Sequence, residues 1–224
     1  VRIIKDILSP FPIEYILLPD ASDNLDGGYE ESYRRLPDNG TTLEQIALMA
    51  GSRLTIELSL FCPPEDSPGE YLKENYGVSL VCLSPPVGLR DTDAFIRILS
   101  EVSGVPVPER LKIERSRYLD AMIDSHKYNA EGRAVVFGEP DFVYSMVRLC
   151  CENGLMPVVS ATGTLSPRLK ELLSDEVNKA ARTLFDEEYT VLDKADFELI
   201  EELALKMKAN LFIGSSDARR IEEK

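Results

Sequence analysis

Residues 114–164 read ERSRYLDAMIDSHKYNAEGRAVVFGEPDFVYSMVRLCCENGLMPVVSATGT. The first part predicts a long helix with one apolar face, because apolar residues recur there at helical spacing: Leu111, Tyr118, Leu119, Met122 and Ile123. Residues 133–137 form, after the charge of Arg133, a continuous apolar run that is too short for a helix, which predicts a buried strand. The turn at 138–141 has a proline where a helix begins, and a strand is predicted at 156–161. Strand, helix and strand in this order predict a parallel, right-handed βαβ unit.

Strands and helices also alternate on both sides of this unit. Further strands are predicted at 14–18, 54–61, 78–83, 189–192 and 211–213. Helix starts are predicted at four capping positions: Thr41 with Glu44, Asp91, Ser166 and Asp193. Such alternation is typical of parallel sheets covered by helices. We therefore expect an α/β fold of two Rossmann-like parallel-sheet domains joined by long helices, with a domain at 1–84, a helical connection at 85–130 and a domain at 131–224.

The composition indicates a globular protein with an acidic surface. The chain has 224 residues with 39 acids and 25 bases, and its net charge of −14 argues against a partner that is a nucleic acid or an anionic membrane. No apolar run approaches the length that spans a membrane. The four cysteines lack CxxC spacing, so we expect reduced thiols and a cytoplasmic location. A predicted helix already starts at Val1, and we therefore expect a piece of a longer protein.

Several loops are candidate ligand sites. Residues 21–40 form a long polar loop, for which a binding segment and a surface excursion are equal alternatives. Three turns follow predicted strands, at 138–141, 162–164 and 214–216, and the carboxyl ends of parallel strands are where open α/β sheets bind ligands. The backbone N–H groups of the turns at 138–141 and 162–164 suit an anion at the start of a helix. The sequence contains neither GxGxxG nor GxxxxGK[ST], so nucleotide binding is not favoured.

Asp120 and Asp124 form a candidate half-site for a metal ion. They are four residues apart on the predicted long helix and therefore share one of its faces. Like charges at this spacing repel each other unless a cation lies between them, and two carboxylates suit a hard cation that prefers oxygen ligands. The alternative is a solvated acidic face, or ion pairs with Arg117 and Lys127.

Cys62 and His126 are the other residues with possible chemistry. Cys62 follows a predicted strand, and a thiolate at a strand tip can bind iron, although one thiolate does not define an iron–sulfur cluster site. His126 is the single histidine, and its place near a helix end favours capping of carbonyl groups. No Ser, Cys or second His is placed to form a nucleophile–base pair with it, so catalysis by His126 is not expected.

The central stretch resembles the nitrogenase component 1 family. Members of that family carry ER-x-R-x-x-D-x-M-x-D-x-H and then G-D-P-D at a helix start. The matching residues here are Glu114, Arg115, Arg117, Asp120, Met122, Asp124, His126 and the turn Gly138-Glu139-Pro140-Asp141. Glu139 departs from the pattern, since the family usually has Asp there. Looser matches occur at Leu25-Asp26, Gly40-Thr41-Thr42, Gly88-Leu89, Thr92-Asp93 and Ser103-Gly104.

Within the family, the resemblance is to the β subunit of the molybdenum–iron protein and to its relative that serves as a scaffold in cofactor assembly. It implies a full-length protein that pairs with an α-type subunit and with a second αβ pair. It also implies iron–sulfur clusters, and electrons that arrive from a reductase iron protein for dinitrogen reduction. The cluster ligands of the family lie in an amino-terminal domain, so no cofactor and no activity are expected in this piece alone.

The resemblance also gives expectations for single residues. The positions of Asp120 and Asp124 match those that contribute to a metal site between two β-type subunits. Cys62 lies near a strand end where α-type relatives have a cysteine that binds the iron–sulfur cofactor, whereas the β-type relatives, which this chain resembles better, normally have another residue there. Another class stays open, a cluster-free Rossmann-type binding module. Sugar-nucleotide transferases and periplasmic-type binding proteins also have two such halves, but the chain shows neither a phosphate turn nor a signal peptide.

Overall fold

The computed structural model describes residues 1–20, 40–184, 188–216 and 219. The helices are α1 (Arg2–Leu8), α2 (Leu43–Leu48), α3 (Pro68–Tyr76), α4 (Gly88–Ser103), α5 (Glu109–Asn129), α6 (Pro140–Glu152), α7 (Pro167–Leu184) and α8 (Phe197–Lys206). The strands are β1 (Leu54–Glu57), β2 (Ser79–Cys82), β3 (Arg133–Phe137), β4 (Met156–Ala161), β5 (Thr190–Leu192) and β6 (Leu211–Ile213). The loop expected at 21–40 lies, apart from Gly40, outside the described residues.

The chain divides into two units that interleave along the sequence. One comprises Val1–Glu57, Pro63–Val81 and Ile96–Lys112, and the other Leu58–Cys62, Cys82–Phe95 and Ile113–Lys224. The domain boundaries expected from the sequence, at 1–84, 85–130 and 131–224, stay a prediction.

In the first unit, β1 pairs with β2 and helix α3 lies beside them. Ser67 starts α3, because its hydroxyl accepts the N–H of Glu70 at 3.0 Å. The same hydroxyl donates to Glu57 at the end of β1, at 2.6 Å. One cap therefore ties the helix to the strand. The buried apolar residues of this unit are Leu8, Phe11, Leu72, Val78, Ile96, Leu99 and Leu111.

Two expectations for the first unit are wrong. Residues 14–18 are irregular rather than a strand: the carbonyl of Leu17 accepts the hydroxyl of Thr41, and prolines nearby lack the N–H that a ladder needs. The capping box lies one residue later than expected, with Thr42 and Gln45 exchanging bonds at 2.9 and 3.2 Å. Thr41 cannot serve as that cap because its side chain also accepts the N–H of Asp20.

The second unit contains a four-stranded parallel sheet in the order β5-β4-β3-β6. The chain winds outward from β3 through α6, β4, α7 and β5, and α8 then leads back to β6 on the other side of β3. This is the order of half a doubly wound fold, and its switch point lies between β3 and β6. Strands β3 and β4 are almost fully buried, as their unbroken apolar sequences predict. The strands predicted at 133–137, 156–161, 189–192 and 211–213 all occur in this sheet.

Two predicted helix caps of the second unit are also wrong. Helix α4 starts at Gly88, so Asp91 lies inside its first turn with its carboxylate buried against Arg148. Helix α8 is capped by Asp196, which accepts the N–H of Leu199 at 2.9 Å. Asp193 instead accepts the N–H of Ser166 at 3.1 Å, across two loops. In both cases the carboxylate binds a group that is distant in sequence and is therefore not used to cap the helix.

Helix α5 is the least buried of the long helices. Of its expected apolar face, Leu111 is buried and Ile123 is 72% exposed, while Tyr118, Leu119 and Met122 are half-buried. Ile113 and Tyr128 are also exposed. The expected face therefore covers the second unit only partly. Among the described helices, none has both the length and the apolarity to cross a membrane.

Candidate functional site

Asp120 and Asp124 lie where the sequence predicted, four residues apart on α5, and both are exposed. Lys127, expected as one partner, instead lies over the ring of Tyr128, with its Nζ 4.7 Å from the ring centroid. In the part of the chain that the structure describes, neither carboxylate has a hydrogen bond or an ion pair. The two carboxylates are thus available to a ligand from outside the chain.

A metal ion would need more ligands than these two carboxylates. Among residues 1–20, 40–184, 188–216 and 219, no group of three or more His, Cys, Asp or Glu side chains is placed to hold one. Hard cations take six to eight oxygen ligands. The donor chemistry of Asp120 and Asp124 therefore fits part of a cation site, which water and another protein surface would have to complete.

The opposite face of α5 is held by the turn between α6 and β4. Asn153 donates from Nδ2 to the hydroxyl of Tyr118 at 3.1 Å, and its carbonyl accepts Nδ2 of Asn129 at 3.0 Å. The ring of His126 lies against Gly154. His126 thus packs on a turn, where the sequence suggested that it would cap carbonyl groups.

Cys62 is half-buried in a segment, Leu58–Cys62, that is fixed to the start of α6. The carboxylate of Asp141 accepts the hydroxyl of Ser59 at 2.5 Å and the N–H of Leu60 at 2.9 Å. The same hydroxyl accepts the N–H of Cys62 at 3.0 Å. Asp141 thus orders the backbone of this segment through Ser59.

Side chains of the protein lie close to each of the three strand tips where a ligand was expected. At 138–141, Asp141 sits at the start of α6, and a Cβ at Gly138 would come 2.9 Å from the ring of Phe142. At 162–164, the hydroxyls of Thr162 and Thr164 bond to each other at 2.9 Å. At 214–216, the ring of Phe137 lies against Gly214. These side chains at the strand tips give no support to phosphate binding, in agreement with the absence of GxGxxG and GxxxxGK[ST] motifs from the sequence.

A buried network of charges joins α4, α6 and α7, and sequence patterns did not predict it. Arg148 donates from Nε and Nη2 to both oxygens of Asp91, at 2.9 and 3.0 Å. Its Nη1 lies 3.1 Å from the hydroxyl of Tyr144 and 2.9 Å from Glu176. Arg90 also binds Glu176, at 2.7 Å. Arg148 interrupts the apolar stripe of α6, and a cation on a buried face requires an acidic partner. This arginine among apolar residues was the feature of the sequence from which a buried ion pair could have been predicted.

Burial and ion pairing act in opposite directions within this network. Burial raises the pKa of Asp91 even though Arg148 donates to it. Burial would also raise the pKa of Glu176, but hydrogen bonding by Arg90 and the charge of Arg148 outweigh it, so this pKa is lowered. Burial raises the pKa of Tyr144 as well. These ion pairs connect α4, α6 and α7 to one another.

The two cysteines of α6 are poor nucleophiles and poor metal ligands near neutral pH. Burial raises the pKa of Cys150 to about 12, with a further contribution from its neighbour Cys151. Burial likewise raises the pKa of Cys151 to about 12. A thiol with such a pKa supplies almost no thiolate near neutral pH, and thiolate is the form that binds metal. Cys62 is thus the remaining half-buried candidate ligand, and Cys82 is exposed.

Comparison with known proteins gives consistent relatives. The family model for nitrogenase component 1 type oxidoreductases matches residues 1–224. The nitrogenase molybdenum–iron protein β chain of Frankia alni is 31% identical over 97% of this chain and 40% of its own length. The nitrogenase iron–molybdenum cofactor biosynthesis protein NifN of Nostoc sp. is 30% identical over 99% of this chain and 45% of its own.

The fold agrees with a solved structure described as nitrogenase Cp1 at pH 6.5. The TM-score is 0.88 at 27% identity, over 99% of this chain and 47% of that one. The α/β class with parallel sheets that the sequence predicted is therefore confirmed. In all three comparisons the chain spans less than half the length of its relative.

Proposed function

This chain belongs to the nitrogenase component 1 family, and from this membership we propose that its full-length protein is a cytoplasmic β-type subunit of a nitrogenase component 1 complex. The observation that carries the proposal is similarity to a molybdenum–iron protein β chain over 97% of the chain. In this proposal the subunit pairs with an α-type subunit, and two such pairs associate. Iron–sulfur clusters then carry electrons from a reductase iron protein to the site of dinitrogen reduction.

The 224-residue chain on its own is catalytically inert in this proposal. An iron–sulfur cluster requires several thiolates in one place, and the described residues do not bring three candidate ligands together. The clusters therefore depend on the rest of the full-length protein and on its α-type partner.

A second function is a scaffold role in iron–molybdenum cofactor biosynthesis. It is favoured by the 30% identity to NifN of Nostoc sp., which extends over 99% of this chain. Both functions require bound clusters, but they differ in turnover, since a scaffold holds a cofactor precursor and does not reduce substrate.

The test is the iron and acid-labile sulfide content of the full-length protein, purified anaerobically with its co-expressed partner subunit. Several irons per pair with matching sulfide support both cluster-based functions. Acetylene reduction by the complex then favours the dinitrogen-reducing subunit over the scaffold. Iron without acetylene reduction favours the scaffold. A folded complex with no iron contradicts both and supports a cluster-free Rossmann-type binding module.

We further propose that Asp120 and Asp124 supply two carboxylates to a divalent cation site between two β-type subunits. The exposure of both carboxylates and their lack of partners in the described chain support this. The double variant Asp120→Asn/Asp124→Asn of the full-length complex is expected to lose this divalent metal. The control is Glu109→Gln, which removes another exposed acid from α5. Unchanged metal content in the double variant contradicts the assignment.

Cys62 is proposed as a single thiolate ligand to an iron–sulfur cofactor. Its support is the ordered segment that carries it, in which Ser59 and Asp141 fix the backbone. Cys62→Ser is expected to lower the iron content of the complex, whereas Cys82→Ser is expected to leave it unchanged. Equal iron in both variants contradicts a ligand role for Cys62.

A further inference from the structure

The turn Asn153-Gly154 contacts three side chains of α5 that lie on one face. Nδ2 of Asn153 binds the hydroxyl of Tyr118 at 3.1 Å, and its carbonyl accepts Nδ2 of Asn129 at 3.0 Å. The ring of His126 covers Gly154. The same Nδ2 also donates to the carbonyl of Leu149 at 2.9 Å, so one amide joins the end of α6 to α5.

This contact face is opposite to the carboxylate face. At about 100° per residue, Tyr118, His126 and Asn129 fall within an arc of about 80°. Asp120 and Asp124 are centred about 180° away, on the exposed side of the helix. Any rotation of α5 about its axis at these contacts therefore changes where both carboxylates point.

Apolar packing fixes this rotation only weakly. In the second unit, Met122 and Leu119 of α5 are half-buried, and Ile123 is 72% exposed. Apolar burial is non-directional, whereas hydrogen bonds to one amide are directional. The polar contacts of the turn, together with the pair that Arg115 forms with Asp93, therefore restrain the rotation of the helix.

We propose that Asn153 and Tyr118 are positioning residues of the cation site, which hold α5 so that Asp120 and Asp124 face outward together. This inference rests on the cation site proposed above. Neither residue touches the metal: the turn sets the direction of the two carboxylates toward the surface that completes the site. Partners that orient metal ligands commonly change affinity by 10- to 100-fold when they are removed.

The test is Mn²⁺ binding by the full-length complex. The affinity is measured by titration with Mn²⁺, and the geometry of the bound ion is monitored by its electron paramagnetic resonance spectrum. Tyr118→Phe removes one hydroxyl and is expected to weaken binding about threefold, less than loss of a direct ligand partner because it acts through the helix. Asn153→Ala removes the Tyr118 contact and the link to Leu149, and a loss of about tenfold is expected. Broadening of the bound Mn²⁺ spectrum is expected in both variants.

The matched control is Tyr15→Phe, the same change on an exposed tyrosine outside α5. It is expected to bind Mn²⁺ as the unmodified protein does. All measurements are made well below each variant's thermal midpoint, so that lost stability alone does not lower affinity. Equal affinity and equal spectra for Tyr118→Phe and Tyr15→Phe would overturn the inference.

The failure of the cation site itself gives a different result. If Asp120→Asn/Asp124→Asn binds Mn²⁺ as well as the unmodified protein does, the proposed site is wrong and this inference is wrong with it. If the double variant loses Mn²⁺ but Asn153→Ala and Tyr118→Phe retain it fully, the site stands and the positioning role is wrong.

Discussion

The imidazole of His126 lies directly against Gly154, so that a Cβ at position 154 would come within 2.6 Å of its Cε1. Gly154 has a φ of +78°, in the left-handed region where residues with a Cβ are strained. The turn that ends α6 thus uses glycine for two reasons, its backbone conformation and the space that the histidine ring takes. Both allow α5 to pack against the turn between α6 and β4.

Gly154→Ala is expected to lower the free energy of unfolding by about 1–3 kcal/mol, from backbone strain and from displacement of the ring. Gly77→Ala is the matched control, because Gly77 has a φ of +70° and no atom within 4 Å of an added Cβ. It carries the backbone strain alone, about 1 kcal/mol. Urea denaturation measures both. Equal losses would show that the contact with His126 contributes nothing, and His126→Ala in the Gly154→Ala background should remove any difference.

Arg148→Met is expected to destabilise the protein by about 3–5 kcal/mol, because it leaves the buried carboxylate of Asp91 without its cation. Arg148 and Asp91 are each 11% exposed at the side chain. Arg115→Met is the control: it breaks another two-oxygen pair with α4, to Asp93, which is exposed. Screening by water makes exposed pairs weak, so its thermal midpoint should barely move. Similar losses in both variants would contradict this ranking.

The sequence predicted the βαβ unit well because its signals are local. An apolar run, a turn with Pro140 and a striped helix each determine their own element, and β3, α6 and β4 start and end close to the expected residues. The shared face of Asp120 and Asp124 was also predictable, since helical periodicity alone requires it.

Contacts between distant residues explain what the sequence did not predict. Asp91 and Asp193 have the composition of helix caps, but Arg148 and the N–H of Ser166 take their carboxylates. Asn153 and Tyr118 are 35 residues apart in the sequence, and no local sequence pattern predicts a contact between two such residues. Candidate ligands were therefore found by residue type and spacing, whereas the contacts that position them required the fold.

Glu176→Gln is expected to destabilise the protein more at pH 7 than at pH 4. Its pKa is lowered in the folded state because Arg90 and Arg148 outweigh the effect of burial. A lowered folded pKa gives stability that is present above the unfolded pKa and is lost as the pH falls through the folded one. Thermal midpoints at both pH values measure the difference. Glu109→Gln, at an exposed i,i+3 pair with Lys112, should show nearly equal small shifts at both. A larger penalty for Glu176→Gln at pH 4 would contradict the assigned direction.

Alkylation by iodoacetamide at pH 8 is expected to be about a thousandfold slower at Cys150 and Cys151 in the folded protein than after denaturation. Their pKa values are raised to about 12, mainly by burial, so the reactive thiolate is nearly absent from the folded state. Cys82 is exposed and should react at a rate close to that of the denatured chain. Mass spectrometry of the labelled peptides separates the sites. Because burial is the main cause, added denaturant should release Cys150 and Cys151 together, at the concentration where the βαβ unit unfolds. Rapid labelling of Cys150 while the fold is intact would show that α6 opens independently of the sheet that it covers.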